Sequence, residues 1–147
     1  FTAGGAFDPF NDNGVGQETA YAQLLALAQA FEDTGVRAYK GQAGNLLGSD
    51  FLTPALQIHA VEAMHASEVR RLRGLKGWIT NNERGAGMPE ATQAVYNGEE
   101  NVVQGGVDVT TLGSDAPFSM EASTEAYDEA LSGDDAVAIA SLFIVSE

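Results

Sequence analysis

One stretch of the sequence decides the fold, and it reads Gln57-Ile58-His59-Ala60-Val61-Glu62-Ala63-Met64-His65-Ala66-Ser67-Glu68. It predicts a helix, because it contains no Gly or Pro and is rich in Ala, Glu, Met and Gln, which favour helices. Glu62 and His65 stand three residues apart, so both side chains leave the helix on one face. That face is otherwise apolar and follows the stripe Ile58, Glu62, His65, Ala66, Val69, Leu72. A carboxylate on the core side of a helix requires a partner or a metal ion.

The preceding helical stretch supplies a third residue of the same kind. Its apolar stripe carries Glu32 in the middle and consists of Tyr21, Leu25, Ala28, Glu32, Val36, Tyr39. The two predicted helices, at about 18–43 and 51–73, are joined by a link short enough for an antiparallel pair. A lone Glu on one helix and Glu-x-x-His on the next are half of the ligand set of carboxylate-bridged di-metal sites in four-helix bundles. We therefore expect Glu32 to face Glu62 and His65.

The residues alone leave two interpretations of this trio open. In the first, Glu32 and Glu62 are oxygen ligands and His65 is a nitrogen ligand of Fe or Mn, metals that suit this donor set. In the second, the trio is a hydrogen-bonded network in a bundle without a metal cofactor. His59 precedes Glu62 by one turn but lies nearer the edge of the stripe. We interpret His59 as a supporting or surface residue and not as a ligand.

Composition limits the classes of partner. The 147 residues include 7 Lys+Arg and 21 Asp+Glu, for a formal net charge of -14, and no Cys. This charge argues against binding to nucleic acid and to anionic membrane surfaces, both of which attract basic proteins. No run approaches the roughly 18 apolar residues of a membrane span. The length corresponds to one domain.

The chain divides into three predicted parts: an irregular entry segment at 1–17, a helix hairpin at 18–74 and a loop-rich extension at 75–147. In the extension the helical period fades, and Asp134 and Asp135 precede a last short helix at 136–143. We expect no long regular helix between residues 75 and 132, and we expect this segment to wrap over the helices or onto a neighbour. The predicted fold class is all-α, a four-helix bundle of which this chain supplies two long antiparallel helices.

Several motifs together carry a resemblance to a known family. They are Phe7-Asp8-Pro9-Phe10, Ala30-Phe31-Glu32-Asp33-Thr34-Gly35-Val36-Arg37-Ala38-Tyr39-Lys40-Gly41, Ile58-His59-Ala60-Val61-Glu62-Ala63-Met64-His65-Ala66, Arg70-Arg71 and Tyr127-Asp128-Glu129-Ala130-Leu131. The chain resembles the ferritin-like proteins related to plant desiccation-related proteins. The resemblance implies a ferritin-like four-helix bundle, in which Glu32 corresponds to the lone Glu of the third helix. Glu62 and His65 correspond to the Glu-x-x-His of the fourth helix. Because members are often exported, the resemblance also implies an extracytoplasmic (periplasmic or secreted) location.

The resemblance further implies that this chain holds half of a bundle. Family members carry two more helices upstream, with their own Glu and Glu-x-x-His, and this chain begins at Phe1 after them. We expect a second polypeptide to complete the bundle, because a hairpin covers only one side of each apolar stripe. We favour the N-terminal half of the same precursor, and a second copy of the chain is the alternative.

Two functions fit these features. In one, a ferritin-like protein binds Fe or Mn and handles iron or oxidative stress. In the other, the chain is a structural or assembly subunit that keeps the ferritin-like scaffold without an active metal site. The sequence does not decide whether the protein is an enzyme.

Overall fold

Two long helices dominate the fold. The structure is a computed structural model that describes residues 7–115 and 117–143, so the first six residues of the predicted entry segment lie outside the described residues. Helix α1 spans Gln17–Gln42 and helix α2 spans Leu52–Leu72, which agrees with the predicted helices to within one residue at each end. The two helices pack against each other in antiparallel orientation. The prediction of a mainly helical fold with two long antiparallel helices is therefore confirmed.

The extension contains only short elements, as the loss of periodicity predicts. They are a 3-10 helix at Glu90–Val95, strands β1 (Val103–Gln104) and β2 (Val107–Asp108), a 3-10 helix at Val109–Leu112, and helices α3 (Met120–Thr124) and α4 (Gly133–Ser141). Strands β1 and β2 form an antiparallel pair. Helix α4 starts three residues earlier than predicted, because the Ser132 hydroxyl caps it by accepting a hydrogen bond from the Asp135 amide at 3.1 Å. Within the described residues, no helix is long and apolar enough to cross a membrane.

The main apolar core lies between α1 and the extension. Its buried side chains are Ala26, Ala30, Ile79, Met88, Val95, Tyr96, Leu131, Ile139. Only Ala26 and Ala30 of this set come from a long helix, and both are small. Small side chains on α1 let the extension approach the helix backbone closely. The most buried face of α1 is thus covered by the extension and not by α2.

A buried ion pair ties the extension to α1. The Arg37 side chain is 2% exposed, and its Nε lies 2.6 Å from Glu99 Oε1. Arg37 also donates hydrogen bonds to the backbone carbonyls of Val95, Asn97 and Glu129. Burial raises the pKa of Glu99 to about 7, and the Arg37 charge opposes that rise. Arg37 therefore satisfies carbonyls at the end of the 3-10 helix Glu90–Val95 and in the loops at Asn97 and Glu129.

A second buried network joins both long helices to the extension. Asp33 Oδ2 accepts hydrogen bonds from Arg70 Nη2 at 2.6 Å and from the Tyr96 hydroxyl at 2.7 Å. The Tyr96 hydroxyl in turn accepts a hydrogen bond from Gln29 Nε2 at 2.9 Å. The Arg70 guanidinium lies 5.6 Å from the centre of the Tyr96 ring, within range of a cation–π contact. One tyrosine thus fixes the position of the extension relative to both helices.

The predicted apolar stripes are buried only in part, as expected for a hairpin that covers one side of each stripe. Val36 and Ala66 are buried, whereas Tyr21, Ile58 and Leu72 are exposed. The extension covers the side of the hairpin opposite these residues. We call the uncovered side the open face and define its large apolar residues as Tyr21, Leu24, Ile58, Val61, Leu72, each between 38% and 58% exposed.

We expect substitution of Gly41 by Ala to destabilise the fold. A Cβ atom at Gly41 would lie 1.8 Å from the Leu131 carbonyl oxygen, so the backbone of the extension would have to move. Overpacking of this kind costs about 1–3 kcal/mol. Gly44→Ala is the matched control, because a Cβ atom at Gly44 meets nothing within 4 Å. Urea denaturation should show a lower free energy of unfolding for Gly41→Ala only, and equal values for the two variants would contradict this packing.

Candidate metal centre

The three residues singled out by the sequence come together between the two long helices. His65 Nδ1 lies 3.3 Å from Glu32 Oε2 and 3.6 Å from Glu62 Oε2. One ligand atom from each of the three side chains can be chosen so that all lie within 4.8 Å of one another. Helix geometry accounts for this placement, since Glu62 and His65 stand one turn apart on α2 and Glu32 lies in the middle of α1. The predicted juxtaposition is confirmed, and a metal role for these residues stays a prediction.

The cluster is accessible from the open face. The side chains of Glu32 and Glu62 are 25% and 26% exposed, and that of His65 is 56% exposed. The two carboxylates are thus half-buried between the helices, with the imidazole at the rim. The cluster therefore meets solvent at His65, while the Glu32 Oε2 atom is buried.

The protonation of Glu32 is unusual for a carboxyl group. Burial, together with the neighbouring Glu62 carboxylate, raises the pKa of Glu32 to about 7, while His65 opposes the rise. Glu32 Oε2 is buried and accepts no hydrogen bond among the described residues, although it lies beside the His65 ring. An orphaned buried carboxylate oxygen next to a second carboxylate and an imidazole is the environment that a bound cation would satisfy. The residues present therefore fit a metal ion.

Gly35 lies at the point where the two helices meet beside the cluster. A Cβ atom at this position would lie 3.5 Å from Glu62 Cγ and 3.7 Å from Glu62 Oε1. The Glu62 side chain thus lies directly against the backbone of α1. A glycine inside a helix costs about 1 kcal/mol relative to alanine. A Cβ atom at Gly35 would make ordinary van der Waals contact with Glu62, so packing at the cluster does not require this glycine.

His59 does not belong to the cluster. Its Nδ1 lies 3.0 Å from the Val36 carbonyl oxygen, which fixes the ring against the backbone of α1. The only group of three or more potential metal ligands among the described residues consists of Glu32, Glu62 and His65. The interpretation of His59 as a supporting residue agrees with this geometry.

Sequence reasoning missed the network of Asp33, Arg70 and Tyr96 that lies beside the cluster. Asp33 follows Glu32 directly, and burial raises its pKa while the Arg70 charge opposes that rise. A second, largely buried face of α1 follows the helical period Ala26, Ala30, Asp33, Arg37. This period was the sequence signal from which the network could have been predicted. Tyr96 carried no such signal, because it lies in a segment without helical period.

Comparison with known families gives one match. Residues 6–75 match the ferritin-like domain family, and this segment includes α1, α2 and all three residues of the cluster. Neither the curated proteins nor the solved structures gave a match. The similarity thus concerns the helix pair and does not extend to the loop-rich extension.

We expect Glu62→Gln to lower the pKa of Glu32. The substitution removes the negative charge that favours the protonated form of Glu32, and burial then remains as the main cause of the raised value. Carboxyl carbon NMR titration of the two proteins measures the change. Glu68→Gln serves as the control, since Glu68 is an exposed carboxylate one turn beyond His65 on the same helix. A Glu32 pKa that stays near 7 in Glu62→Gln would show that the two carboxylates do not interact.

Proposed function

We propose that the ferritin-like helix pair binds one Fe or Mn ion through Glu32, Glu62 and His65. The observation that carries the proposal is the position of Glu32 Oε2, which is buried, accepts no hydrogen bond and lies 3.3 Å from His65 Nδ1. Carboxylate oxygen and imidazole nitrogen form a donor set suited to Fe and Mn. The match of residues 6–75 to the ferritin-like domain family supports the same assignment.

Each residue has a distinct part in this proposal. Glu32 and Glu62 supply two negative charges that offset the charge of a divalent ion, and His65 supplies a neutral nitrogen donor. Glu32 must lose its proton to bind, so its raised pKa makes affinity increase as the pH rises through about 7. When bound, the ion would supply redox chemistry, and its substrates would be ferrous iron or peroxide. The open face gives such small solutes direct access to the cluster.

The finer assignment rests on the resemblance of the helix motifs to the ferritin-like proteins related to plant desiccation-related proteins. On that ground we place the protein in the handling of iron or of oxidative stress, in an extracytoplasmic compartment. Three protein donors leave coordination positions of Fe or Mn unfilled. Those positions must be taken by water or by side chains of another polypeptide.

A structural or assembly subunit is the second candidate function. The exposed apolar residues of the open face favour it, because soluble monomers rarely expose a contiguous apolar patch of this kind. In that case the helix pair serves as a scaffold and the cluster holds no ion. Metal binding distinguishes the two candidates.

We expect the wild-type protein to bind one Mn²⁺ per chain, and electron paramagnetic resonance of the free ion measures the binding. Glu62→Gln and His65→Ala each remove one donor, and we expect at least about a tenfold loss of affinity from either, the loss seen even when a residue supporting a ligand is removed. A bound ion also stabilises the fold, by about 2.7 kcal/mol at a hundredfold excess over the dissociation constant.

Glu68→Gln is the control for charge, since it removes a carboxylate from the same helix outside the cluster. Equal losses in Glu68→Gln and Glu62→Gln would show that Mn²⁺ responds only to the general acidity of the chain. Absence of binding by the wild type would favour the scaffold function.

A further inference from the structure

The chain contains two Asn-Gly pairs, and the structure places them in different surroundings. They are Asn13-Gly14 before α1 and Asn97-Gly98 in the extension, and all four residues are exposed. In an Asn-Gly pair the glycine nitrogen can attack the asparagine side-chain carbonyl and expel ammonia, because no Cβ atom on the glycine hinders the approach. The two pairs differ in the groups that contact their backbone.

The peptide bond between Asn97 and Gly98 is polarised at both ends. Its carbonyl oxygen accepts a hydrogen bond from Nη2 of the buried Arg37 at 2.9 Å. Its N–H group donates a hydrogen bond to Glu100 Oε2 at 3.0 Å. A cationic donor at the oxygen and a carboxylate acceptor at the nitrogen both favour loss of the amide proton. The Gly98 nitrogen is therefore a better nucleophile than the nitrogen of an ordinary peptide bond.

The backbone of this turn is fixed, whereas the side chain of Asn97 is not. Tyr96 and Glu99 flank the pair and are 0% and 1% exposed, and the Glu99 amide donates a hydrogen bond to the Tyr96 carbonyl at 3.2 Å. Gly98 has a φ of 93°, a conformation that glycine adopts without strain. The Asn97 side chain is exposed and makes no hydrogen bond among the described residues. The activating contacts are thus held in place while the side chain that must react can rotate.

The other Asn-Gly pair lacks these contacts. The Gly14 amide donates a hydrogen bond to the Asn11 carbonyl at 3.4 Å, which is a neutral acceptor. Among the described residues, neither a cation nor a carboxylate contacts the peptide bond between Asn13 and Gly14. This pair therefore has the reactive residues without the activating groups, and it provides a reference within the same chain.

We propose that Asn97 is a site of self-catalysed conversion to isoaspartate, in which Glu100 is the base and Arg37 directs the product. Glu100 takes the proton of the Gly98 amide while the Gly98 nitrogen forms a bond to Cγ of Asn97. The bond between Cγ and Nδ2 of Asn97 then breaks. Ammonia leaves with the proton that Glu100 held, and the main chain now contains a cyclic succinimide.

Water opens the succinimide, and Arg37 selects the bond that breaks. Arg37 Nη2 is bound to the main-chain carbonyl of Asn97, so it stabilises the negative charge that forms there when water attacks. Attack at this carbon breaks its bond to the Gly98 nitrogen and leaves the main chain connected through the former side chain, which is isoaspartate. The new carboxylate lies at the oxygen that Arg37 already holds, so Arg37 gains a second anionic partner beside Glu99. The net reaction consumes one water and releases one ammonia.

Peptide mapping of the full chain tests the proposal, by mass spectrometry with fragmentation that distinguishes isoaspartate from aspartate. The folded protein is incubated at neutral pH, and each conversion raises the mass of a peptide by about 1 Da. We expect isoaspartate to form at least about tenfold faster at Asn97 than at Asn13, since a positioned base contributes about a hundredfold or more. In concentrated urea, which removes the contacts of Arg37 and Glu100, we expect the two rates to converge.

A pair of matched substitutions tests the base. We expect Glu100→Gln to slow the reaction at Asn97 to about the rate at Asn13, because the amide keeps the shape of the side chain but cannot take the proton. Glu90→Gln is the control, since Glu90 is an exposed glutamate at the start of the preceding 3-10 helix, and we expect it to leave the rate unchanged. A rate at Asn97 in the folded protein that does not exceed the rate at Asn13 overturns the proposal, as do equal effects of the two substitutions. The same proportion of isoaspartate in folded and unfolded chains overturns the directing role of Arg37.

Discussion

Burial of Arg37 is the interaction on which the rest of the structure depends. A guanidinium that is 2% exposed needs a partner for its charge and acceptors for its donors, and Glu99 with three backbone carbonyls supplies them. All four partners come from the extension. The extension must therefore fold back onto α1, although it has few regular elements and no long helix to hold it there. The Asp33 network repeats the arrangement one helical turn earlier and includes Arg70 of α2.

This arrangement gives the hairpin two different sides. One side carries the buried polar networks and the apolar core, and the extension covers it. The other side carries Glu32, Glu62 and His65 with the exposed apolar residues. In a helix pair matched to the ferritin-like domain family, the extension thus covers the side of Ala26, Ala30 and Arg37. Its end at Phe143 packs on Phe31, beside the cluster. The cluster is consequently free to meet a solute, an ion or another polypeptide.

The carboxylates of Asp33, Glu99 and Glu32 differ in the charged groups that surround them. Asp33 pairs with Arg70 and Glu99 pairs with Arg37, so each has a fixed cation. Glu32 has no Arg or Lys partner among the described residues. Its neighbours are the Glu62 carboxylate and the His65 imidazole. A buried carboxylate without a fixed counter-charge is costly for stability and is typical of functional sites. That contrast supports a role for Glu32 in binding rather than in holding the fold.

The sequence by itself determined the two long helices and the meeting of Glu32 with Glu62 and His65. Both follow from local properties, namely helix propensity, the 3.6-residue period and a short link that forces antiparallel packing. Tertiary structure alone decided which side of the hairpin is covered. The pairs Arg37–Glu99 and Asp33–Tyr96 each join residues more than sixty positions apart, and no periodic pattern marks Glu99 or Tyr96. Those distant contacts select the covered side. The exposure of Tyr21, Ile58 and Leu72 could not be predicted from their stripes, because an apolar stripe has the same period whether or not a neighbour covers it.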